Sequence, residues 1–104
     1  MSIFSAAMDV IFENPAMAVD AIYITRHGEV LAVRVIRREA DPDIGFGDSR
    51  IAASTALFDI RASEIAAPRP QDRLQIGTSF FDVQGEPVLD REQLVWTLDT
   101  RPAA

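Results

Sequence analysis

The spacing of apolar positions along the chain changes once. In residues 2–13, Phe4, Ala7, Met8, Ile11 and Phe12 fall at i, i+3, i+4, i+7 and i+8, which places them on one stripe of an α-helix. Ser2 stands where an N-cap is wanted. Asn14 followed by Pro15 ends the helix, because proline disfavours the helical region for the residue before it. A helix this short does not hold in water by itself, so it must dock on its own sheet or on a neighbouring subunit.

From Ala21 onward the spacing is that of strands. AIYIT (21–25) is β-branched and aromatic, RHG (26–28) supplies a turn with Gly28 at positive φ, and EVLAVRVIRRE (29–39) alternates. Leu31, Val33 and Val35 lie on one face and Arg34 on the other, which predicts a hairpin. Residues 51–65 return to strand character, with Ala56, Phe58 and Ile60 on one face and Asp59 and Arg61 on the other. The two prolines of 66–71 make a linker, since neither fits a central strand. In DRLQIGTSFFDV (72–83), Leu74 and Ile76 point inward, Gly77 turns the chain, and Phe81 and Val83 pack back across it; the alternation leaves the face of Phe80 open. QGEP (84–87) turns again. Residues 93–100 close the series with Leu94, Trp96 and Leu98 inward and Val95, Thr97 and Asp99 outward. About six strands after one helix predict a mainly β fold, a small antiparallel β-barrel or sandwich with one short N-terminal helix.

The 104 residues make a single domain, divided into a helical docking segment over 1–17, a barrel over 20–101 and a mobile loop over 40–50. That loop, ADPDIGFGDSR, carries Ile44 and Phe46 among charges, and burying them requires a partner surface. Its Asp41 and Asp43 have the opening spacing of a calcium loop. Gly45 at the third ligand position, Phe46 where glycine is required and Ala52 at the twelfth position exclude an EF-hand. A loose oxygen-ligand site is the most the loop offers, and no metal is expected.

Composition narrows the chemistry further. The 10 cationic residues are all arginine, so Schiff-base and P-loop lysines are excluded. Cysteine is absent, which excludes disulfides and suits a reducing compartment. The formal net charge of -6 disfavours a dedicated nucleic-acid binder, which needs clustered positive charge. No apolar run approaches a membrane span, and no basic region precedes the first apolar residues as in a secretory signal. His27, the one histidine, sits in a turn with no nucleophile or carboxylate beside it. Nucleophile elbows, glycine-rich phosphate loops and zinc spacings are missing, so neither enzyme activity nor a cofactor is expected. Arg34, Arg37 and Arg38 form a basic cluster. It allows two roles: a nucleotide-sensor barrel gripping a small ligand with Arg34 and Arg38, or arginines paired with Glu29, Glu39 or a neighbour's carboxylates. Trp96, Phe58, Phe80 and Phe81 read as core, because base-stacking platforms come with basic surroundings.

The helix, strand pair, Gly/Asp loop and the run FDIRASEIAAPRPQDRLQIGTSFFDVQGEPVLDREQLVWTL, in that order, resemble a phage head–tail joining (tail-attachment) protein of the lambda type. Asp72, Leu74, Ile76, Gly77, Phe81 and Val83 carry the resemblance, and LVWTL matches the closing strand. The family's usual glycine before this aspartate is Gln71 here, and the chain stops at DTRPAA where longer tails occur. The resemblance implies a structural protein of a phage or prophage virion neck, assembled in the host bacterial cytoplasm. Its implied partners are the portal or connector and the tail-terminator protein, and its implied assembly is a hexameric ring through which DNA passes without specific binding. Stopper, tail-terminator and head-completion proteins share similar barrels and remain alternatives. Two segments suit docking: the helix, through Phe4, Met8, Ile11 and Phe12, and the loop, through Asp41, Asp43, Ile44, Phe46, Asp48 and Arg50.

Overall fold

The computed structural model describes residues 3–39 and 56–103, with side chains described for 5–38 and 56–103. One helix, α1 (Ile3–Glu13), precedes seven strands: β1 (Val19–Ile24), β2 (Val30–Glu39), β3 (Ala56–Arg61), β4 (Arg73–Ile76), β5 (Ser79–Val83), β6 (Val88–Leu89) and β7 (Val95–Pro102). Every pairing is antiparallel, and the order β3-β2-β1-β4-β5-β7 closes on itself through a β3–β7 pairing. The barrel therefore has six strands, and β6 is a seventh, attached to β7.

Alternation fills the interior as the spacing predicts. Tyr23, Val33, Val35, Phe58, Ile60, Leu74, Phe81, Val83 and Leu98 are buried. The rings of Phe58 and Phe81 meet edge to face with centroids 5.1 Å apart, a geometry worth about 0.5–1.5 kcal/mol beyond the area buried. Thr100 shares this face. The one polar group it brings is satisfied, because its Oγ1 donates to the Ala56 carbonyl at 2.8 Å. Phe80 lies on the outer face, where the Arg73 guanidinium sits 5.6 Å from its ring centre and bonds Asp82 across the strand pair.

The turns follow from local chemistry. Between β1 and β2 the Gly28 N–H returns to the Thr25 carbonyl, and Thr25 Oγ1 accepts from Glu29 N at 3.0 Å; Gly28 takes φ +97° as its position requires. Between β4 and β5, Gly77 opens a two-residue turn at φ +61°, the position such turns reserve for glycine.

Four details differ from the spacing-based expectation. The strand character placed at 51–65 ends at Arg61, and residues 51–55 lie outside the described residues. After it the chain turns inward, burying Ile65, whose carbonyl accepts from Trp96 Nε1 at 3.0 Å. Trp96 is accordingly only half-buried. Leu31 is partly exposed, because β2 runs past the end of β3. And β6 occupies ground read as turn. Val83 faces Thr100 whereas Val88 faces Thr97; five steps on one strand span three on the other. QGEP is thus a bulge interrupting a single line along β7.

Candidate functional site

Helix α1 is held to the barrel by polar groups. Arg34 of β2 divides its guanidinium between the end of the helix and the chain that follows it. Its Nε donates to the Phe12 carbonyl at 2.7 Å, Nη2 to the Ala18 carbonyl at 3.0 Å and Nη1 to Asp20 at 2.7 Å. A cation on the last carbonyls satisfies groups the helix cannot bond internally and complements its dipole. Arg61 at the end of β3 bonds Asp9 at 3.1 Å and Glu64 at 3.3 Å, with its guanidinium 5.3 Å from the centre of the Phe12 ring. Glu64 also accepts from the Arg34 backbone N–H. The Arg61 Nε is buried without a partner among the described residues, and a hollow of about 310 Å³ separates this part of the helix from the barrel.

The helix keeps Phe12 against the barrel but has one flank reversed. Asp9 faces the barrel, and Ser5 lines the same hollow, while Ala6, Ala7 and Val10 face solvent, Val10 at 69 % exposure. Met17, just past the helix, is exposed too. A surface helix ordinarily turns charge outward; this one turns out alanine and valine as well as Glu13. Of the helical side chains expected to dock on a partner, Phe12 is buried against the chain's own barrel, and Met8 and Ile11 are half-buried. The Phe4 side chain lies outside the described side chains. Asp41, Asp43, Ile44, Phe46, Asp48 and Arg50 lie outside the described residues altogether. Only the direction of the helical stripe was legible in the sequence. Which face docks is set by Arg34 and Arg61, and spacing gives no sign of their reach.

The arginine cluster does not converge. Arg34 is committed to the helix end and the chain that follows it, and Arg38 makes a two-pronged pair with Asp59 at 3.0 Å, buttressed by Thr97, which donates to the same carboxylate. The Arg37 guanidinium lies over the rings of Phe58 and Phe81 at the mouth of the barrel. His27 is exposed in its turn. Among the described residues no three His, Asp or Glu side chains are grouped to hold a metal, and no helix is long and apolar enough to cross a membrane.

One buried charge was not anticipated as such. Asp72, read from the sequence only as a matching position, is almost fully buried. Its Oδ1 accepts from Arg26 N at 2.9 Å; its Oδ2 accepts from Arg69 N at 2.9 Å and from the Tyr23 hydroxyl. Burial pushes the Tyr23 phenol far above its ordinary range, and the adjoining carboxylate adds to the effect. A single carboxylate thereby fastens the β1–β2 turn, the proline linker and the start of β4.

Compared with known proteins, residues 1–100 match the family model described as phage head–tail attachment protein. No curated protein matches the chain.

Proposed function

The chain belongs to the phage head–tail attachment protein family, a structural role in phage virion assembly, and on that premise we propose that it forms part of the neck between a DNA-filled head and its tail. In this proposal subunits associate into a hexameric ring, with the portal or connector on one side and the tail-terminator protein on the other. DNA passes through without specific binding, and no reaction is catalysed. Assembly takes place in the host bacterial cytoplasm. A net charge of -6 suits a channel wall that must release phosphate rather than hold it. A strongly positive inner wall on the assembled ring would contradict this.

The observation that carries the proposal is the apolar patch Ala6, Ala7 and Val10 on the outward face of α1, with Glu13 as the one charge at its C-terminal end. Ala6, Ala7 and Val10, with Met17 just past the helix, form an apolar surface that the chain's own barrel does not cover, while Ser5 and Asp9 are turned toward the barrel. Small side chains on that face let another element approach closely. The segment 40–50, with Ile44 and Phe46, supplies the second docking surface in this proposal.

Two substitutions test it. Val10→Asp adds charge to an exposed position and should change folding stability by less than about 0.5 kcal/mol, yet it should block joining of heads to tails. Phe46→Asp should behave in the same way. A normal yield of joined particles from either variant removes that surface from the neck contact.

A further inference from the structure

A head-to-tail ring requires each subunit to present two different patches on opposite sides. Among the described residues the barrel carries two strand edges without a pairing strand, and these meet this requirement. The first lies in β2. Its last pair with β3 at this end is Val35 with Ile60, so residues 30–34 are paired with β1 but not with β3. Thr25 N bonds the Glu29 carbonyl, which fixes the alternation: residues 31 and 33 bond toward β1, and the backbone groups of Val30 and Ala32 point away from it. Arg34 N, next in that row, is already taken by Glu64. The second edge is β6, paired with β7 on one side only. Asp90 N bonds the Val95 carbonyl, so the backbone of Leu89 points outward. Val30 and Val88 mark the two edges, each 63 % exposed.

The two edges stand on opposite sides. In the order β3-β2-β1-β4-β5-β7, closed through β3–β7, the line shared by β5 and β6 is three strands from β2 in either direction. Both lie toward the end of the barrel where β3 stops, since Leu89 and Ile60 share Trp96 as partner. Their charges are opposite. Arg26 stands in the turn that leads into the first edge, and Arg69, tied with it to Asp72, stands beyond β1 at the same end of the barrel; their exposed guanidiniums have no carboxylate partner among the described residues. Glu86, Asp90 and Glu92, all exposed, surround the second, with Arg91 as the only nearby cation in sequence.

Resting on the ring reading above, we infer that the β2 edge of one copy seats against β6 of the next, Val30 beside Val88, with Arg26 and Arg69 facing Glu86 and Glu92. Pro87 removes one N–H next to β6, and β6 itself is only Val88–Leu89. The contact is therefore carried by side chains and a few backbone bonds, and it cannot propagate as a long ladder.

The chain has no cysteine, so engineered pairs can be read without background. Val30→Cys and Val88→Cys combined in one chain should, on oxidation in assembled particles, give a covalent ladder ending at the closed ring. Either single variant should stay monomeric. Absence of a ladder in particles that are joined normally overturns the inference and leaves the neck role standing. So does a covalent dimer from Val30→Cys alone, which would mean a two-fold contact. Charge reversal gives an independent arm. Arg26→Glu with Arg69→Glu, and Glu86→Arg with Glu92→Arg, should each lower joining at least tenfold, and an equal mixture of the two variants should recover it. Loss in both without recovery in the mixture overturns the pairing. Failure of the wild-type chain to join heads to tails would instead defeat the neck reading; the same cross-linking, run on concentrated free protein, then decides the contact separately.

Discussion

Asp72 and Arg61 are both charged side chains withdrawn from water, and each ties a distant piece of chain to the barrel. They do it with very different completeness. Asp72 is almost fully buried and collects three donors on its two oxygens, from Tyr23, Arg26 and Arg69. Arg61 reaches Asp9 and Glu64, both partly exposed, and among the described residues its buried Nε has no partner beside a hollow. A buried charge whose bonds are all made fixes structure; one with a bond missing holds its load less firmly. The barrel end at Asp72 is thus part of the rigid scaffold. The attachment of α1 is looser, and α1 is the element that turns an apolar face to solvent.

If that contrast is right, Asp72→Ala has the largest effect. It strands the Tyr23 hydroxyl and two backbone N–H groups in a dry site. Bonds to a charged acceptor are individually worth about 1.5–3 kcal/mol, so a cost of about 3–5 kcal/mol is expected, with the whole barrel affected. Urea unfolding followed by tryptophan fluorescence measures it, and a loss below about 1 kcal/mol would remove the distinction between the two anchors.

Phe12→Ala comes next. Removing a buried ring costs about 3–5 kcal/mol where the site cannot collapse, but here the loss should fall on the helix. Amide hydrogen exchange should accelerate in residues 3–13, while the protection of β3 and β7 stays as in the wild type. Equal acceleration in the barrel would show that helix and barrel open as one unit.

The pH dependence sharpens the Asp72 side of the comparison. The folded chain holds the Tyr23 phenol protonated far above its ordinary value, whereas the unfolded chain loses that proton near pH ~10. Stability from this site is therefore complete below about pH 10. It falls as the pH rises further, because the unfolded state binds fewer protons than the folded one. Tyr23→Phe should begin about 1.5–3 kcal/mol less stable at neutral pH, for one bond to a charged acceptor lost, and should lack this phenol's share of the alkaline decline. Parallel slopes for the two proteins above pH ~10 would show that Tyr23 is not the group responsible.

How much of this was legible beforehand depends on the distance over which each feature is decided. The barrel was, because strand spacing and the turn glycines at 28 and 77 are local signals, and Val33, Phe58, Leu74 and Phe81 all face inward as the alternation requires. β6 was not, since two residues following a bulge cannot display a period. The helix was legible as an apolar stripe, but its orientation depends on Arg34 and Arg61, far along the chain from Phe12 and Asp9. Asp72 was legible as a matching residue and not as a clasp, because two of its three partners belong to the β1–β2 hairpin.

Gln71 shows the same division at one residue. Its place between the proline linker and Asp72 marks a turn from sequence alone; the structure supplies the reason. Gln71 sits at φ +79°, where a side chain on Cα is crowded against its own backbone at a cost of about 1–2 kcal/mol. Its N–H meanwhile bonds the Val83 carbonyl at 3.0 Å, so the strained geometry is held by the same loop that carries Asp72. Gln71→Gly relieves the strain but admits more freedom to the unfolded chain, a penalty of about 0.4–1 kcal/mol. The net gain expected is about 0.5–1 kcal/mol, seen as a rise in Tm of about 2–6 °C. Gln71→Ala keeps the Cβ and should gain nothing. A glycine variant no more stable than the alanine variant would place the strain elsewhere, and the clasp around Asp72 would then be relaxed rather than held under load.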